Sequence, residues 1–245
     1  MARLSAIIIG ANSALSQAMA LQLASEQVRV ALMASDPDAL SPLLPRLGED
    51  PILVEIDIFE PDACREAFER LWEELENVAL VVINTAASGL DLSLPYALDR
   101  QINAVNVTGF SALANAAFNR MVAQKYGQLA ALTSIAGERG GPQVAFHASK
   151  AYQQNYLQGL RLHAQRLKLP ITISDVRLGY LDKMHGRGSK GWSAPVEKVA
   201  AQTLRALRKA KPKVYVTRRW RLISWLSRVL PEFIYNRRKY KSPGA

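Results

Sequence analysis

The sequence predicts a doubly wound α/β domain on a parallel sheet of seven strands, and two observations carry the prediction. Short runs rich in Ile and Val alternate with longer amphipathic segments, the pattern of buried strands covered by helices on both faces. At 245 residues and 49% hydrophobic content, the chain can bury one large core, and no Pro-, Gly- or Ser-rich linker divides it.

The first strand is expected over 4–9. Its apolar run is too short for a secretory signal and has no cleavage-like site, so it reads as a buried strand. Further strands are expected near 28–33, 52–56, 79–83, 128–132, 171–176 and 213–216. Between them, Pro61 to Leu75 reads as a helix opened by a proline suited to a first turn. Asp99 to Gln124 and Phe146 to Leu167 read as the other long helices, and no repeat or low-complexity segment is visible. The expected division is a domain over 1–217 followed by a basic, amphipathic extension over 218–245.

Charge and cysteine content narrow the function classes. Residues 205–241 hold 13 of the 31 Lys and Arg and 1 of the 21 Asp and Glu, a local +12 within a chain of net +10, so the remainder carries −2. Such a block suits an anionic membrane surface, a nucleic acid or solvent. No nucleic-acid-binding module accompanies it, and nucleic acid is not expected as a partner. The single Cys64 excludes an intramolecular disulfide framework, no Cys or His cluster has metal-ligand spacing, and a reducing cytoplasm is the expected setting.

Strand-like Ala6-Ile7-Ile8-Ile9 runs into Gly10-Ala11-Asn12-Ser13-Ala14-Leu15-Ser16 and then a helix-forming stretch. Further on stand Asp57 after a strand, Asn84-Thr85-Ala86-Ala87, Asn106, Ser134 and Lys150. In that order and spacing the chain resembles the short-chain dehydrogenase/reductase family over nearly its whole length. The resemblance implies a Rossmann-type domain, an NAD(P) cofactor, carbonyl reduction or alcohol oxidation on a small-molecule substrate, and homo-oligomers such as dimers or tetramers. It implies cofactor contacts from Gly10, Asn12, Ser13, Ala14, Leu15, Ser35, Asp57, Asn84, Ala86, Lys150 and Gly179. Of the family's three turn glycines only Gly10 is kept; Ala14 and Ser16 replace the others, and two added side chains are expected to narrow the phosphate cradle. Ser35 falls where NADP-dependent relatives often carry arginine, and the reading leans to NADP over NAD.

The family's catalytic tyrosine stands four residues before its lysine. Here that position is Phe146, 12 residues after Ser134. The resemblance implies that Ser134 orients a carbonyl, that Lys150 holds the cofactor ribose and tunes the missing phenol, and that Asn106 serves a proton relay. Phe146 has no proton to give. His147 lies about 100° around the helix and is expected to face away from Ser134. Tyr180, in a segment resembling the family's Pro-Gly closure over the nicotinamide, is better placed, and Tyr152 is expected to point elsewhere. Phe146 is either an engineered change or natural divergence; Ala14, Ser16, Leu178 and Lys183, which also depart from family motifs, favour divergence. Two functions stay open: an oxidoreductase, or an impaired subunit that regulates or pairs with a homologous partner.

Lys183, Arg187 and Lys190 punctuate a glycine-containing loop where the family has its substrate lid, and an anionic or lipid-linked substrate is expected there, contacted by Tyr180, Lys183 and Arg187. After the last strand, Leu222, Trp225, Leu226 and Val229 fall on one helical face among arginines. That helix is too short to span a bilayer and suits either the headgroup layer or docking on protein.

Overall fold

The computed structural model describes residues 3–179, 194–217 and 219–235. Seven parallel strands form one sheet in the order β3-β2-β1-β4-β5-β6-β7. They are β1 (Ser5–Ile9), β2 (Arg29–Ala34), β3 (Ile52–Glu55), β4 (Val78–Ile83), β5 (Gly127–Ser134), β6 (Ile171–Leu178) and β7 (Lys213–Val216). Each strand expected from the sequence is present. β5 and β6 run two residues further than expected, because they pair in register through Ser134 and Leu178.

The sheet is apolar on both faces, and each face has its own helical cover. On one side α2 (Pro61–Glu74), α4 (Phe110–Gln124) and α5 (Val144–Leu167) bury Phe68, Phe110, Phe118 and Leu157 against β1, β4 and β5. On the other, α1 (Ala14–Ser25) and α6 (Val196–Arg208) bury Met19, Val199 and Leu204 with Leu40 from a 3₁₀ segment, Asp38–Arg46.

The expected helix over 99–124 is a composite. It begins earlier, as α3 (Tyr96–Asn103) after Pro95, and passes through a π-helical turn, Ala104–Gly109, before continuing as α4. A π turn widens the helix by one residue and often marks a functional position; this one carries Asn106. A 3₁₀ turn, Ile135–Glu138, follows β5. Beyond β7 come α7 (Arg219–Val229) and a short α8 (Glu232–Tyr235). Among the described residues no helix is long and apolar enough to cross a membrane.

Candidate active site

Strand order reverses between β1 and β4, so the crevice at their carboxyl ends is where an open α/β sheet takes a ligand. Gly10 makes the turn from β1 with φ +81, and a Cβ there would lie 2.2 Å from the Asn84 carbonyl oxygen. Only glycine fits both the dihedral and the approach. Ser13 then caps α1, its hydroxyl accepting from the Ser16 N–H at 3.4 Å. The N–H groups of Ala14 and Leu15 open the helix at the crevice, an arrangement that receives phosphate.

The two residues that replace glycine both make internal contacts. Ser16 is fully buried and its hydroxyl accepts from Asn84 Nδ2 at 2.9 Å, as does that of Ser13. Its added oxygen is thus absorbed as a link between α1 and the end of β4. Ala14 packs against the apolar cluster shared with α6. Leu15 is buried in that same cluster.

Asn12 organises the end of β2. Its Oδ1 accepts from the N–H groups of Ser35 and Asp36 at 3.1 and 3.2 Å, and its Nδ2 donates to the Asp36 carbonyl at 2.6 Å. The Asp36 carboxylate turns the other way and caps the 3₁₀ segment through the Ala39 N–H at 3.1 Å. Asp57 is exposed after β3, with Oδ1 accepting from the Phe59 N–H, and Ala86 is exposed after β4.

The expected catalytic positions are brought together by α5, the π turn and the end of β5. Asn106 is fully buried; its amide clamps the backbone of Ala87 through two 2.8 Å hydrogen bonds and donates to Ser149 Oγ at 3.0 Å. Ser134 ends β5, and its Oγ accepts from the Ala136 N–H at 3.1 Å. That bond occupies an acceptor site and leaves the hydroxyl hydrogen for another oxygen. Lys150 is buried on α5, one helical turn from Phe146, with Nζ 5.8 Å from the centre of the Phe146 ring. The ring at 146 therefore still faces the lysine. His147 donates from Nδ1 to the Arg139 carbonyl, 2.8 Å away, on another side of the helix.

Sequence reasoning missed Gln153. Its Oε1 accepts from Lys150 Nζ and its Nε2 donates to the Asn106 carbonyl, both at 2.9 Å, so one buried amide spans two of the expected catalytic residues. The three-residue step from Lys150 on a helix was the available signal. Among the described residues no carboxylate salt-bridges Lys150. Burial pushes its ammonium down to about 8, with Asp175 opposing the shift.

A second buried set ties the turn after Ser134 to the end of the chain. Glu138 bonds Arg177, accepts from the Tyr215 hydroxyl at 2.8 Å and pairs with Arg228 of α7. Arg177 Nε reaches Asp175 at 2.7 Å, and Asp175 accepts from Thr133 at 2.5 Å. Burial raises the Glu138 carboxyl, but the nearby polar groups of Ser224, Tyr215 and Arg177 together outweigh it and hold it below its ordinary value. Gly179, at the end of β6, lies under the Trp220 indole; a Cβ there would fall 2.0 Å from Trp220 Nε1. The expected contacts from Tyr180, Lys183 and Arg187 lie outside the described residues.

Cys64 is buried, and burial with nearby Asp57 and Glu60 pushes its thiol up to about 11, which suppresses the thiolate. Among the described residues no three His, Cys, Asp or Glu side chains gather as a metal site.

The family model for short chain dehydrogenases matches residues 5–190. The chain belongs to that family. An uncharacterized oxidoreductase of Myxococcus xanthus is 32% identical over 173 residues, 68% of each chain. Among solved structures, a short-chain dehydrogenase/reductase from Mycobacterium marinum superposes with a TM-score of 0.77 at 22% identity, covering 86% of this chain and 92% of that one. An NADPH-dependent 3-quinuclidinone reductase from Rhodotorula rubra gives 0.74 at 17%, covering 86% and 89%. Both superpositions match the fold of the doubly wound sheet, and family membership implies an NAD(P) cofactor. Gly10, the start of α1 and buried Lys150 fit such a group: a cradle closed to any Cβ, helix N–H groups for phosphate, and an ammonium for a hydroxylated anion.

Proposed function

We propose that this short-chain dehydrogenase binds NADP and reduces a carbonyl of a small molecule, slowly, with no side-chain acid at position 146. The observation that carries the reading is that Ser134, Asn106 and Lys150 keep an organised geometry around a ring that cannot supply a proton. When bound, the reduced nicotinamide supplies hydride. Ser134 donates its hydroxyl hydrogen to the carbonyl oxygen and orients it. Lys150 places a positive charge beside the cofactor, with Gln153 holding its nitrogen. Phe146 contributes shape alone, so the proton that completes the alcohol comes from solvent.

NADP is favoured over NAD because the Asp36 carboxylate, two residues past the end of β2, is committed to the Ala39 N–H instead of a ribose diol. The similarity to an NADPH-dependent reductase supports the same preference. Basic Lys183 and Arg187 favour an anionic or lipid-linked substrate group, and pairing of copies as a homo-oligomer accords with the family. The buried Cys64 accords with a reducing cytoplasmic setting.

The test is NADPH-dependent reduction of a panel of aldehydes and ketones by the parent and by Phe146→Tyr. The variant restores a phenol facing Lys150, and a rise of roughly 10²–10⁴-fold is expected. If both proteins bind NADPH and neither turns over any substrate, the oxidoreductase reading fails and a regulatory nucleotide-binding role takes its place.

A further inference from the structure

The helix α7 docks on the domain by the face opposite its apolar stripe. At about 100° per residue, Trp220, Ser224 and Ser227 fall on one side and Leu222, Trp225, Leu226 and Val229 on the other. Trp220 and Ser224 are the buried pair, with Trp220 only 5% exposed over Gly179. Leu222 and Trp225 are 68% and 59% exposed, and Leu226, Val229, Phe233 and Ile234 are exposed beside them.

This orientation is held by polar contacts. Arg139 donates to the carbonyls of Ser227 and Leu230 at 2.7 and 2.5 Å, its guanidinium lies 4.3 Å from the centre of the Tyr235 ring, and the Tyr235 hydroxyl donates to the Gly140 carbonyl at 3.1 Å. Arg228 adds its pair to the buried Glu138. All of these partners follow Ser134, so the helix is fastened at the carboxyl end of the sheet, beside the candidate active site.

A contiguous apolar face turned outward needs a partner. Charge identifies which one. Arg219 and Arg221 flank the stripe, Arg228 being paired with Glu138, and the sequence from 218 to 241 holds eight Lys and Arg against the single acid Glu232. Two aromatic rings and four aliphatic side chains between arginines form the surface that an anionic bilayer accepts at headgroup depth. A protein partner would have to match that charge with carboxylates; anionic phospholipid presents it everywhere.

We infer that α7 and α8 form a docking surface for an anionic lipid bilayer, which holds the active-site end of the domain against the membrane. This inference stands independently of which carbonyl is reduced or whether Phe146 permits turnover.

The full chain is tested by co-sedimentation with vesicles of phosphatidylglycerol and phosphatidylcholine in equal parts, against phosphatidylcholine alone, at low and high salt. Binding to the anionic vesicles, weakened by salt, is expected. Trp225 should be quenched by brominated acyl chains, and Trp225→Phe should remove that part of the quenching. The triple variant Leu222→Ser, Trp225→Ser, Val229→Ser leaves the docked face intact; it should keep the parent's circular dichroism and melting behaviour and lose binding. Arg221→Glu should weaken binding by roughly 5-fold or more, the effect of about 1 kcal/mol per basic residue. Absence of parent binding, equal binding by the folded triple variant, or indifference to lipid charge would overturn the inference. So would a parent dimer that the triple variant dissociates without any vesicle binding, which would assign the face to a second copy of the chain.

Discussion

Position 146 differs from a catalytic residue by one oxygen, and the surroundings of that oxygen remain. The Phe146 ring faces Lys150 Nζ at 5.8 Å, and Ser134 keeps a free hydroxyl hydrogen, so activity gained by Phe146→Tyr would come from the phenol alone. Lys150 yields a second expectation. Burial lowers its ammonium to about 8, against 10.5 for an ordinary lysine, and an anionic cofactor binds the protonated form. NADPH affinity should therefore be highest below about pH 8 and fall as pH rises through that value. Lys150→Met should bind more weakly and lose the step; isothermal titration across this range reads both effects. The sign for stability is the reverse. The unfolded chain holds the lysine proton more tightly, so the buried ammonium opposes folding below about pH 8 and that opposition lifts as pH rises towards 10.5. A pH-independent affinity in the parent would remove Lys150 from the cofactor site.

At the scale of elements, the π turn and the 3₁₀ turn after β5 do the positioning. The π turn aims the Asn106 amide at Ala87 and presents its carbonyl to Gln153, which in turn holds Lys150. The 3₁₀ turn carries Glu138 into contact with β6, β7 and α7 at once. Removing one partner of a buried ionic set leaves the others uncompensated, so Glu138→Ala should lower unfolding free energy by about 3–5 kcal/mol, measured by urea denaturation. Limited proteolysis should then cut earliest near α7, because Arg228 loses its anchor. Since Glu138 titrates below its ordinary 4.5, its contribution is present above that value and is lost as pH falls through the lowered one. An unchanged denaturation midpoint in the variant would show that the set adds specificity without stability.

For the whole molecule, ligand binding and folding are linked. A cofactor that binds only the native state at about 100 times its Kd adds about 2.7 kcal/mol. For a chain of 245 residues this should raise the melting temperature by roughly 5–10 °C. NADPH should produce a larger shift than NADH at equal concentration. If neither shifts the melt at millimolar concentration, the crevice between β1 and β4 no longer serves as a cofactor site.

The sequence by itself determined the sheet, its strand positions, the glycine turn and the order of Asn106, Ser134, Phe146 and Lys150. These rest on local rules: alternation of apolar runs, a glycine at a dihedral no other residue adopts, and a fixed step along one helix. Ala14 and Ser16 were visible too, but their consequence was not, because the expected crowding depends on which way a side chain turns. Only the tertiary structure shows the Ser16 hydroxyl bonded to Asn84. Gln153, Glu138 and Arg139 carry no motif; an amide or a charge acquires a role only when the fold brings a partner from a distant segment within 3 Å or so. The tail makes the same point with one helix. Its apolar stripe was legible from spacing, yet which face meets the domain was decided by Trp220 over Gly179 and by arginine contacts across some ninety residues of chain. Periodicity tells which residues share a face, and long-range packing decides whether that face is buried or left for something else to cover.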